Sequence, residues 1–83
     1  TGQFLNGQAT TFAHVLQKQG EQTQDQVQLA LWRGLQRPPQ PDEVQRGVRL
    51  LETLTRQYKI SADKALEYFC LLVLNMNEFV YLD

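Results

Sequence analysis

Apolar residues recur along most of this chain at intervals of three and four, the spacing of one face of an α-helix. Ala9, Phe12, Ala13 and Leu16 form the first such stripe. Asn6 before it is an N-cap candidate, because its short side chain can accept from a free first-turn amide. Gly20 after it suits a helix stop, since glycine takes a left-handed conformation at little cost. A second stripe, Val27, Ala30, Leu31 and Leu35, starts after Thr23. There "TQDQ" has capping-box spacing, and Asp25 suits the positive end of the helix dipole. Trp32 lies at the edge of that stripe. Pro38 and Pro39 end the segment, since proline lacks an amide donor and disfavours helical geometry before it.

The third segment opens with "QPDEV", placing Pro41 at the first helical position and Asp42 and Glu43 in the first turn. Gln40 is a weak residue for its N-cap. Val44, Val48, Leu51 and Leu54 repeat at helical spacing. Gly47 inside a helix costs roughly 1 kcal/mol relative to Ala, which suggests close approach of a neighbour, under Trp32. Ser61 caps a fourth segment, where Ala65, Phe69, Leu72 and Met76 line one face and Leu66, Cys70, Val73 and Leu74 another. A helix apolar nearly all round is a buried one. Linkers near Gly20–Gln22, Pro38–Gln40 and Lys59–Ile60 are short, as in antiparallel packing. Asn75 and Glu78 have capping-box spacing, so "NMNEFVYL" is expected to form a separate short turn after a bend. Phe79 and Leu82 would then fold back on Phe4 and Leu5. The expected fold is all-α, one domain over residues 1–83: a compact four-helix bundle with a short extra C-terminal helical turn.

Composition changes this picture little. At 83 residues and 42% apolar, the chain suits a single globular domain with a modest core. A net charge of −1 gives no general attraction to nucleic acid or anionic membrane. No apolar run approaches the roughly 18 residues of a membrane span. The chain begins with Thr1, which suggests a processed chain or an excised piece of a larger protein.

Candidate chemistry is sparse. Cys70 is the single cysteine and lies in an apolar run, where an inert buried thiol is expected. His14 is the single histidine, with no second ligand to complete a metal set. The carboxylate pairs Asp42/Glu43 and Asp63/Glu67 are explained by helix dipoles. No phosphate loop or haem-attachment motif occurs. Catalytic, cofactor-binding and metal residues are therefore all expected to be absent. Arg33 and Arg37, one turn apart, raise a helix-turn-helix reading for nucleic acid, but the "RPPQP" turn lacks the usual glycine. Arg37 is expected to pair with Asp42 or Glu43.

Three blocks carry a resemblance. "LWRGLQRPPQPDEV" resembles the "Y-R-x-x-L-G-R-x-P-T-x-x-E" turn of a planctomycete domain of unknown function. "LLVLNMNEFVYLD" closely resembles that family's ending, of the kind "LLNSNEFVYVD", and "FLNGQATTFAHVL" its "LLNSPFV…A" segment. Three positions depart: Gln36 replaces Gly, Gln40 replaces a Thr or Ser cap, and Met76 replaces Ser. The resemblance implies the C-terminal part of a large exported protein, hence an extracytoplasmic location. Related members carry a cytochrome-c-like domain upstream, and no catalytic residue transfers.

The expected function is a non-catalytic structural or protein-interaction module closing a larger protein. Its contacts would be upstream domains of that parent or another protein, and the isolated domain would be a monomer. Trp32, Arg33, Arg37, Phe79 and Tyr81 are the candidate interaction residues. The alternative is an accessory or docking part of an enzyme or redox assembly.

Overall fold

The structure, a computed structural model, describes the backbone of residues 2–82 and the side chains of residues 7–76. It is an all-α four-helix bundle: α1 (Gly2–Gln19), α2 (Thr23–Leu35), α3 (Pro41–Arg56) and α4 (Ala62–Leu82). The last helix is the hub, packing against each of the other three. Its partnership with α1 is antiparallel, because Thr10 reaches Glu67 while Gln17, further along α1, reaches back to Asp63.

The core follows the stripes read from sequence. Val27, Ala30, Cys70 and Val73 are fully buried, and Ala13, Leu16 and Ala65 nearly so. Phe12, Val48 and Leu54 pack against this core while remaining partly exposed. Fully burying a side chain such as Leu16 or Val73 contributes roughly 1.5–3 kcal/mol, a large share of a small domain's stability. On α4, Ala65, Leu66, Phe69, Cys70 and Val73 face inward, but Tyr68 and Leu72 stay 46% and 45% exposed. That helix is therefore not buried all round: with three partner helices it still keeps an open side.

Several termini differ from the local signals. The first helix begins at Gly2 and runs through Asn6, so Asn6 is not its cap. An asparagine permits a start, but no proline before it compels one. At α2 the N-cap is Gln22 rather than Thr23, and the Thr23–Gln26 capping box does not form. Instead the Gln26 side-chain amide donates to the Gly20 carbonyl at 2.8 Å, tying the end of α1 to the first turn of α2. Gly20 does not use positive φ. Its missing side chain serves proximity: a Cβ there would lie 3.1 Å from the Asp25 Cβ. Left-handed backbone falls instead at Gln36 and Lys59, at φ 60° and 59°; Gln36 closes α2 through its N–H to the Trp32 carbonyl. Its side chain also donates to the Arg33 carbonyl at 2.8 Å. A non-glycine residue in this region is strained, which two local hydrogen bonds offset.

Other starts hold. Pro41 opens α3, with Glu43 accepting from the Gln40 backbone N–H at 2.7 Å. Ser61 Oγ accepts from Lys64 N–H at the start of α4. The separate C-terminal turn is not formed as such: α4 continues without a break to Leu82. With no proline or glycine after Ala62, nothing in the chain forces a bend there. The expected contacts of Phe79 and Leu82 with Phe4 and Leu5 lie outside the described residues.

Gly47 does mark a close approach, but its neighbours are Val27 and Phe69, not Trp32. A Cβ at Gly47 would stand 2.6 Å from Val27 Cγ1 and 3.2 Å from Phe69 Cζ. The same geometry recurs at Gly34, where a Cβ would meet Val73 Cγ1 at 2.9 Å. Two glycines thus set the spacing among α2, α3 and α4.

This predicts opposite signs for one substitution at two sites. Gly47→Ala is expected to lower stability by about 1–2 kcal/mol, overpacking outweighing the helix-propensity gain. Gly7→Ala, on α1 with nothing within 4 Å of the added methyl, is expected to raise stability by about 0.5–1 kcal/mol. Urea denaturation of the two variants checks the pair; a stabilised Gly47→Ala would refute the close approach.

Candidate docking surface

Two hollows flank the Gly47 contact, one on each side of α3. The first lies where α2, α3 and α4 meet and holds about 200 Å³. Leu31, Leu35, Leu50, Phe69, Leu72 and Met76 line it, with Gly47 at its floor and Glu43 and Arg46 at its rim. Leu50 and Leu72 are 38% and 45% exposed. The second lies between α2 and α3, holds about 280 Å³, and is lined largely by amide side chains, valines and prolines.

The charges around these hollows are mostly committed to one another. Arg37 donates to both carboxylate oxygens of Glu43, at 2.9 and 2.8 Å, bridging the α2–α3 turn. Glu43 also accepts from the Gln40 N–H. The Arg37 hydrogen bond first, then the backbone N–H, carry its pKa from the ordinary 4.5 to about 2. The same pairing raises that of Arg37. Arg46 pairs with Asp42 at 2.9 Å and Arg56 with Glu52 at 3.5 Å. Lys64 lies 3.7 Å from Glu67 and 5.9 Å from the centre of the Tyr68 ring. Positive charge in the middle of the chain is thus interleaved with acid rather than gathered into a stripe.

The residues singled out from sequence are dispersed. Trp32 is 47% exposed but stands outside both hollows. Arg33 is exposed, and Arg37 belongs to the turn clamp. Phe79 and Tyr81 lie outside the described residues. His14 is exposed on α1. Cys70 is buried, and burial first, with the Glu67 charge second, pushes its thiol up to about 12. A thiol so held stays protonated at neutral pH and is a poor nucleophile. Asp63 accepts from Gln17 and Glu67 from Thr10, so the second carboxylate pair joins α4 to α1.

Among the described residues no three His, Cys, Asp or Glu side chains are grouped as a metal set. Among them no helix is long and apolar enough to cross a membrane. The residues missed were Leu50 and the outward placement of Leu72. The doublet Leu50–Leu51 held a signal, since adjacent residues on a helix point about 100° apart and only one can join the buried stripe. Comparison with family models, curated proteins and solved structures gives no match.

The Glu43 carboxylate has a lower pKa folded than unfolded. Its contribution is therefore full above about pH 4.5 and is lost as the pH falls toward 2. Glu43→Gln is expected to be less stable than the parent chain at pH 7, with the difference vanishing by about pH 2. Urea midpoints across that range provide the check; a gap that persists at the acid end would contradict the assignment.

Proposed function

We propose that this chain is a non-catalytic protein-interaction module that packs as the closing part of a larger exported protein. The observation that carries this reading is the apolar hollow among α2, α3 and α4. Singly scattered surface leucines need no explanation. Leu50 and Leu72 are different, because with Leu35 and Met76 they line one recess. Contiguous exposed apolar surface with a polar rim is characteristic of a contact site. Leucine, methionine and phenylalanine there suit another apolar side chain better than a polar small molecule. The likeness of the "LLVLNMNEFVYLD" block to the ending of exported planctomycete proteins supplies the second support, and with it the extracytoplasmic location. The role is therefore mechanical: a stable helical unit presenting a fixed apolar recess to the parent or to a partner.

Hydrogen exchange tests this reading. Amides of α3 and α4 around Leu50 and Leu72 are expected to exchange at least about tenfold more slowly in the parent protein than in the chain alone. Replacing both leucines with serine should cancel that protection while leaving the isolated chain folded. Equal exchange in the two contexts would overturn the proposal.

A further inference from the structure

The chain has two sulfur atoms, and the fold treats them oppositely. Cys70 is fully buried on the inner face of α4, where its thiol stays protonated at neutral pH. Met76, six residues further along the same helix, is the single methionine. It is half-buried and lines the apolar recess among α2, α3 and α4. Building on the docking role of this recess, we propose that Met76 is an oxidation site that switches the recess from apolar to polar.

Gly34 fixes the orientation of the sulfur. A Cβ on that glycine would lie 3.4 Å from Met76 Sδ and 2.9 Å from Val73 Cγ1. The thioether therefore sits over the bare backbone of α2, in ground that an alanine methyl would contest. An oxygen added to sulfur needs room of its own. The α2 side has none, so the oxygen points into the recess. The side chains it meets there, Leu31, Leu35, Leu50, Phe69 and Leu72, donate no hydrogen bond. The one donor side chain at the rim, Arg46, is held by Asp42 at 2.9 Å.

The oxidant is a peroxide. A sulfur lone pair attacks one peroxide oxygen, the O–O bond breaks, and in hydrogen peroxide the other oxygen leaves as water. The thioether gives up two electrons and becomes a sulfoxide, a polar group in place of an apolar one. With no donor inside the recess, the sulfoxide oxygen keeps its water. An apolar side chain entering the recess has to strip that water away, which weakens docking by about tenfold or more. Methionine sulfoxide reductase reverses the change: two thiols become a disulfide and the oxygen leaves as water. Leucine at this position has nearly the volume of methionine and no sulfur to oxidise, so it keeps the recess apolar under peroxide.

The test uses hydrogen peroxide and 1-anilinonaphthalene-8-sulfonate, a dye that fluoresces on exposed apolar surface. The untreated chain is expected to bind the dye, and the double variant Leu50→Ser, Leu72→Ser to lose it. Mild peroxide is expected to add one oxygen at Met76 and none at Cys70, read by peptide mass spectrometry. Dye affinity then falls by about tenfold or more, with helicity by circular dichroism unchanged, and reductase with dithiothreitol restores it. Met76→Leu is expected to bind the dye with and without peroxide. The switch is overturned if oxidised Met76 leaves dye affinity unchanged, or if Met76→Leu loses affinity under peroxide as the parent chain does. It is overturned too if Met76 survives peroxide that consumes free methionine in the same sample. A chain that takes no dye before peroxide removes the docking role and the switch together, whereas the other failures remove the switch alone.

Discussion

The approach of α2 to α3 at Gly47 is the constraint on which the rest of this bundle depends. No side chain stands between Val27 and the α3 backbone there, and Phe69 of α4 closes over the same point. Three helices therefore meet at one residue that lacks a Cβ. Gly34 repeats the device higher on α2, against Val73 of α4. Glycine costs helix stability at both positions, so each is retained against local propensity. Close contact returns that loss through dispersion among atoms that would otherwise be held apart by a methyl group.

This close meeting also generates the surface. Where α2 lies tight on α3, the side chains on the flanks of α3 cannot all be covered. The apolar recess opens on one flank and the amide-lined groove on the other. Both surface features trace back to a single packing decision in the interior. The turn clamp acts in the same direction. Arg37 on Glu43 holds the α2–α3 connection at the point where the helices must diverge, and the Gln36 conformation sets the angle at which the chain leaves α2. Exposed ion pairs generally contribute little to stability. This one is bidentate, and it shares its carboxylate with the cap of α3, so it couples two local structures that would otherwise vary independently.

Helix number, the buried stripes and the start signals at Pro41 and Ser61 were legible because each depends on periodicity or on one residue's local chemistry. So was the pairing of Arg37 with an acid across the turn. The errors share a cause. Asn6, Thr23 and the "NMNE" segment are all residues that permit a helix to start without requiring it, and continuous helix prevailed at Asn6 and Asn75. Gly20 was read as a conformational residue when its role is spatial. Gly47 was recognised as an approach point, but the identity of the approaching residue is a tertiary fact that no one-dimensional pattern contains.

The functional surface was less legible for a physical reason. A recess exists only when residues distant in sequence converge, and Leu35, Leu50 and Leu72 come from three helices. Each alone reads as part of a stripe or as an isolated exposed leucine. Trp32, the most conspicuous side chain in the sequence, stands apart from both hollows, because conspicuousness in a sequence reflects chemistry, whereas a recess reflects packing. The glutamine-rich stretch shows the converse. In sequence its residues look interchangeable, yet Gln17 and Gln26 tie helices together while Gln24 and Gln28 line a groove. Which glutamine does which follows from its angle on its own helix: Gln17 faces α4 from α1, whereas Gln24 and Gln28 face α3 from α2.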